Sequence, residues 1–189
     1  MQNHDNHSLW DRLINSNPSA TNEERTAMHK LSLSIILTSQ GISFLHAGTE
    51  FLRHKKGVEN SYNAPDSINE IDWSLKTTNK EVYDYIKGLV HLRKQHPAFR
   101  MASAADIQRN LLFTDNLPTQ VIVYELNGAA VNDSWKKIKV LFNGSAVVKI
   151  INLQEKGWIS SVENNFFTTN KFDKEILLQP FSCSILYKK

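Results

Sequence analysis

The periodicity of the apolar residues changes once along this chain, near Pro97-Ala98-Phe99. Upstream, apolar residues recur at helical spacing, with one short apolar run. Downstream they alternate, as they do in half-buried strands. A chain with both patterns in separate halves is neither an all-helical bundle nor an all-β protein. It reads as α+β, with two parts at residues 1–99 and 100–189. All seven histidines fall in the first part. A length of 189 residues accommodates one large domain or two small ones.

In the first part, Thr21 and Glu24 stand at capping-box spacing, which predicts a helix over about 23–40. Ala27, Met28, Leu31 and Ile35 share its apolar face, and Gly41 stops it. Ile42-Ser43-Phe44-Leu45-His46 reads as a short apolar strand. The polar stretch from Gly48 to Asn79 is longer than an idle loop. Thr78 and Glu81 form a second capping pair, opening a helix that ends before Pro97. In the second part, strands are predicted at 120–126, 138–142, from Trp158, and over 181–187. Asn143-Gly144 predicts a tight hairpin into 145–153. Together these suggest a small antiparallel β-sandwich with its own core, the part expected to fold alone.

Several classes are excluded or left open. A net charge of +3, scattered along the chain, does not describe a nucleic-acid surface. No apolar run is long enough to cross a bilayer. The single cysteine, Cys183, allows neither an internal disulfide nor a cysteine zinc site. The polar start Met1-Gln2-Asn3-His4-Asp5 has no signal-peptide pattern, and localisation is left open. Lys136, Lys137 and Lys139 read as a solvated or edge-protecting face.

The chemistry-bearing residues lie in the first part. His4-Asp5-Asn6-His7 admits three readings. His4, Asp5 and His7 are N/O donors of the kind that bind metal. A carboxylate beside a histidine can also hold sugar hydroxyls through charge-assisted hydrogen bonds. The plainest reading is a solvated chain start. Glu50 follows the apolar run, where α/β folds place site residues. It suits a buried structural partner equally. The segment 58–69 mixes aromatics, amides and carboxylates, which suits a polyhydroxylated ligand or any well-ordered loop. Trp73 is a candidate sugar platform or a loop anchor.

The strings themselves carry a resemblance. His4-Asp5-Asn6-His7-Ser8-Leu9-Trp10-Asp11 resembles the fourth conserved region of the α-amylase superfamily, glycoside hydrolase family 13. Residues 39–51 resemble that family's eighth barrel strand and the turn after it. The segment Gly57-Val58-Glu59-Asn60-Ser61-Tyr62-Asn63-Ala64-Pro65-Asp66-Ser67-Ile68-Asn69 is similar to type I pullulanases, which cut α-1,6 branch points. Residues 85–99 resemble their eighth barrel helix, and 100–189, more loosely, the β-sandwich that follows.

The resemblance implies an incomplete C-terminal remnant of a (β/α)8 barrel, with about two helices and one or two strands, then the sandwich. It implies a hydrolase of α-glucans such as pullulan, glycogen or starch, needing no cofactor and no metal. Asp5 would stabilise the transition state, and His4, Asn63, Asp66 and Asn69 would bind sugar. Glu50 would be structural. A retaining glycosidase needs two carboxyl groups about 5–5.5 Å apart. By the resemblance both the nucleophile and the general acid would lie upstream of Met1. The chain alone is therefore expected to be inactive. Its partner would be the missing barrel portion, and an apolar face normally packed on absent strands would pack on the sandwich, self-associate or remain partly disordered. A glycan-binding module and a structural or interaction piece without catalysis are the alternatives.

Overall fold

The structure, a computed structural model, describes residues 5–189. Six helices and nine strands are assigned among them. The helices are α1 (Leu9–Ser16), α2 (Asn22–Thr38), α3 (Asp66–Asn69), α4 (Ser74–Thr78), α5 (Lys80–Gln95) and α6 (Ala104–Asn110). The strands are β1 (Leu111–Phe113), β2 (Val121–Asn127), β3 (Lys137–Asn143), β4 (Lys149–Asn152), β5 (Trp158–Glu163), β6 (Phe166–Phe167), β7 (Lys171–Phe172), β8 (Glu175–Leu178) and β9 (Ser182–Lys188). No described helix is long and apolar enough to cross a membrane.

The two long helices follow from local chemistry, with one difference. The Thr21 side chain accepts from the Glu24 backbone, and the Glu24 carboxylate accepts from the Thr21 N–H, so the capping box closes α2 as expected. The second pair does not close. Thr78 belongs to α4, where its hydroxyl donates to the Ser74 carbonyl, and Asn79 begins α5 without a side-chain cap. Glu81 instead pairs with Lys30 of α2. A salt bridge across two packed helices has taken the carboxylate that a cap would use.

The β half is a seven-stranded antiparallel sheet with strand order β1-β2-β3-β9-β5-β6. Strand β7 also pairs with β5, and β4 and β8 form a separate two-stranded sheet. The expected hairpin through Asn143-Gly144 is absent, because β4 joins β8 rather than β3. A two-residue type I′ turn needs positive φ at both central positions, and Gly144 does not adopt it. Asn143 uses its side chain otherwise. Its amide donates to the Val147, Leu178 and Gln179 carbonyls, and its oxygen accepts from Ser145, which diverts the chain to the second sheet.

The main sheet is buried on both faces. One face of β2, β3 and β9 places Tyr124, Leu126, Ile138, Val140, Phe142, Cys183 and Ile185 against α2 and α5. The other places Val123, Leu141 and Leu186 beneath the small sheet, with Trp158, Ile151, Ile176 and Leu178. The architecture is therefore three layers: helices, main sheet, small sheet. Residues 100–189 hold a core of their own in the second cluster, and they share the first with the helices.

This layering corrects the reading of Lys139. Strand β3 is central, and Lys139 is buried, paired with Glu125 at 2.9 Å, donating to the Leu153 carbonyl and lying over Trp158. It is neither solvated nor on an edge.

The apolar run 42–46 is not a paired strand. A parallel strand of that type is buried by neighbours on both sides. Among the described residues it has none. Ile42 is 102% exposed and Phe44 69%, with Ile35 of α2 also exposed. The helices pack on the sandwich, as one of the three expected outcomes had it, and this apolar edge stays open.

Candidate functional site

The segments that carry the expected site residues, the start of α1 and the loops from 46 to 69, are joined by hydrogen bonds. Their anchor is Asp11, which is buried. Ser8 caps α1 by accepting from the Asp11 N–H at 3.1 Å, and its hydroxyl donates back to the Asp11 carboxylate at 2.7 Å. The same carboxylate accepts from the Lys55 N–H at 2.6 Å and the Gly57 N–H at 3.0 Å. One side chain thus pins the N-terminal string to a loop more than forty residues away in sequence.

Lys55 carries the connection onward. It is buried, and its Nζ donates to the Glu59 carbonyl at 2.6 Å and to Ser61 Oγ at 3.2 Å. Desolvation lowers its pKa from the usual lysine value, and the neighbouring Arg53 charge adds to this. The fields of Asp11, Asp5 and Glu59 oppose the shift, so Asp5 lies within electrostatic reach of Lys55. His7 lies 4.0 Å from the Glu59 carboxylate.

Arg53 holds the far side. Its Nη2 donates to the Asn69 carbonyl at 2.7 Å and its Nη1 to the Ala47 carbonyl at 3.3 Å. Gly48 makes room for it. At φ +90°, a Cβ on Gly48 would sit 2.8 Å from the Arg53 side chain. The Asn69 amide then donates to the Ser61 and Ala64 carbonyls at 2.7 and 3.0 Å, clamping the turn that carries Asn63.

His4 lies outside the described residues. Asp5 is exposed at the start of the chain segment that Asp11 anchors. Asn63 and Asp66 are exposed, with side chains that make no hydrogen bond among the described residues. Both amide hydrogens of Asn69 are engaged by the loop itself. Glu50 accepts from the Gly48 N–H at 3.0 Å and shapes its own 3-10 turn, Thr49–Phe51. Trp73 leaves most of its ring exposed and packs against Phe51, centroids 5.7 Å apart. Among the described residues no group of three His, Cys, Asp or Glu is arranged to hold a metal ion.

Asp11, Lys55, Arg53 and Ser61 were not singled out from the sequence. Ser8 and Asp11 do stand at the spacing of a helix cap, so α1 could have been found. The contacts of Asp11 with residues 55 and 57 leave no local trace.

His29 of α2 lies behind the site, fully buried. Its Nε2–H donates to the Thr49 carbonyl at 2.7 Å, while Nδ1 has no partner and the ring meets Trp10 edge-on. Burial lowers its pKa from 6.5 to about 4. The unfolded chain therefore binds one more proton than the fold between those values. Stability from this group is complete above pH 6.5 and is lost as pH falls toward 4. The expected loss is about 3 kcal/mol. Urea unfolding at pH 7.5 and pH 4.5 measures it, and His29→Phe should remove most of the difference. An equal acid loss in the variant would refute the assignment.

The comparisons with known proteins agree with this architecture. Residues 107–165 match the family model described as pullulanase, all-beta domain. A pullulanase of Bacillus subtilis (strain 168) is 44% identical over 145 residues, covering 77% of this chain and 20% of that protein. The solved pullulanase from Bacillus acidopullulyticus superposes with a TM-score of 0.93 at 39% identity, over 98% of this chain and 23% of that one. A type I pullulanase from Bacillus subtilis str. 168, solved in complex with maltose, gives a TM-score of 0.93 at 37% identity, over 98% of this chain and 26% of that one. The chain spans about a fifth to a quarter of the length of these relatives. In sequence and in fold the chain is similar to the C-terminal helical and all-beta region of type I pullulanases.

Proposed function

We propose that these residues form the C-terminal part of a retaining hydrolase that cleaves α-1,6 linkages in α-glucans. The observation that carries this reading is the superposition of 98% of the chain on a pullulanase of which it covers 23%. Residues 1–99 complete the catalytic barrel, and residues 100–189 form the sandwich that supports it. Asp5 stabilises the positive charge that develops on the sugar during bond cleavage, because a fixed carboxylate acts most strongly where charge appears only in the transition state. His4 holds hydroxyls of the same sugar, and Asn63 and Asp66 meet the next one. Asn69 acts through the loop it clamps, with Arg53 behind it, and Glu50 keeps the turn at 48–51 in shape. The Asp11–Lys55 link keeps the two sugar-contacting segments at a fixed separation.

The nucleophile and the proton donor come from polypeptide outside these 189 residues. Without both, neither the covalent intermediate nor leaving-group protonation is available. The open edge at Ile35, Ile42 and Phe44 receives the missing barrel strands, and in their absence it is the surface through which copies of the chain associate. Complementation tests this reading. The chain is mixed with the remainder of a related pullulanase, and reducing-sugar release from pullulan is measured. Activity is expected from the mixture alone, and Asp5→Asn should reduce it at least a thousand-fold, in the range of a lost transition-state contact of about 4 kcal/mol. Robust hydrolysis by the chain by itself, or none from the mixture, would count against the proposal.

A further inference from the structure

We infer that the chain carries a second carbohydrate-binding site, distinct from the Asp5 and Asp66 segments, in the cleft where the starts of α2 and α5 face the sandwich. It would take a short, uncharged α-glucan strand. The cleft encloses about 590 Å³, within the range of small-ligand sites. Its walls come from both parts of the protein, so it exists only because the helices dock on the main sheet.

The chemistry of the lining selects the ligand. Leu52 and Val82 supply an apolar lining. Phe166, on the two-residue edge strand β6, stands in the wall with 57% of its surface exposed. Lys30 lies over this ring at 4.8 Å from the centroid, so the ring is held in place. A phenyl ring offers a flat apolar face to the C–H face of a sugar. Gln179 lies in the same wall, and its side chain makes no hydrogen bond among the described residues, leaving a donor and an acceptor for hydroxyls.

Charge narrows the class further. Glu23 and Glu81 both line the cleft, and the one cation there, Lys30, is paired with Glu81. This repels phosphorylated or acidic ligands. A ligand with an apolar face, hydroxyls along its edge and no negative charge fits what remains, and an oligosaccharide has all three. The identity of the sugar as an α-glucan rests on the function proposed above; the existence of the site does not.

Binding is measured on the whole 189-residue chain, by retardation in native gels containing glycogen and by calorimetric titration with maltohexaose and with cellohexaose. The expected result is retardation by glycogen and binding of maltohexaose but not of cellohexaose. Phe166→Ala and Gln179→Ala, both at exposed positions, should each weaken binding at least five-fold. Phe166→Leu, which keeps apolar bulk without the aromatic face, should weaken it to a similar degree. Leu112→Ala, at an exposed position on β1 outside the cleft, should leave it unchanged. The site is refuted if the unmodified chain is not retarded, or if the Phe166 and Gln179 variants bind as it does. Equal binding of both hexaoses would overturn the α-glucan assignment. The readout needs no catalysis, so it fails or succeeds separately from the complementation experiment.

Discussion

Replacing Arg93 with methionine is expected to lower the melting temperature of the chain by about 10 °C. Arg93 is buried near the end of α5 and meets no carboxylate among the described residues. Its Nη1 donates to the carbonyls of Leu37, Ser39 and Phe99 at 3.0, 2.7 and 2.8 Å, and its Nη2 to the Gly41 carbonyl at 2.6 Å. Two of those carbonyls, on residues 37 and 39, lie at the C-terminal end of α2, where the helix leaves its last acceptors unsatisfied and its dipole favours a cation, and Gly41 follows just beyond it. Burial pulls the guanidinium pKa down from its usual value, helped by the nearby Arg100 charge, yet the carbonyls keep it in place. Methionine fills the space and restores none of the hydrogen bonds. Stranding several buried carbonyls costs on the order of 4 kcal/mol. Arg93→Lys reaches fewer carbonyls and should recover less than half of the loss. Thermal unfolding followed by circular dichroism measures both, and a shift under about 2 °C for the methionine variant would refute the role assigned to this residue.

Asp133→Ala should produce a loss of similar size by a different route. Asp133 is buried in the β half and accepts from three donors. These are His96 Nδ1 at 2.7 Å, the Trp135 N–H at 2.9 Å and the Ala98 N–H at 3.1 Å. His96 and Ala98 belong to the end of the helical part, so one carboxylate joins the two halves. The His96 ring stacks on Trp135 at 3.6 Å, and Trp135 stacks on Tyr187 at 4.0 Å. The turn that presents Asp133 tolerates only glycine at 128, where a Cβ would stand 1.9 Å from the Trp135 carbonyl oxygen. Alanine at 133 leaves three buried donors unpaired, about 3–5 kcal/mol. Melting should fall by about 10 °C, and tryptophan fluorescence should shift as the His96–Trp135–Tyr187 stack loosens. Unchanged fluorescence with an unchanged melting point would show that Asp133 does not hold the halves together.

These two residues mark where sequence reading stops. Arg93 falls in a predicted helix and Asp133 between two predicted strands, but most of their partners lie 52–56 and 35–37 residues away. The capping box at Thr21 and Glu24 was readable because both partners sit within one turn. The same spacing at Thr78 and Glu81 misled, because Lys30 on a neighbouring helix competes for the carboxylate. Strands β2, β3 and β9 were visible as alternating runs, yet their second buried face was not. The small sheet that covers it forms only when β4 leaves the expected hairpin. In the candidate site, Asp5, Asn63 and Asp66 are candidates named through a family resemblance in consecutive residues. Asp11, which pins the chain start to the loop at 55–57, lies in one of those strings but carries no local sign of that contact, and Lys55 and Arg53 belong to none.

What the amino-acid order determined alone is the set of features closed within a few residues: the capped helix α2, the strand runs and the family that the strings resemble. Hydrogen bonds from residue i to i+4, and alternation between two faces, are local, so they print directly in sequence. The tertiary structure alone decided which carboxylate pins which loop, which sheet receives β4, and that a cleft opens between helices and sandwich. Each of those depends on buried donors and acceptors finding partners dozens of residues away, and that pairing is settled only when the layers pack and water leaves.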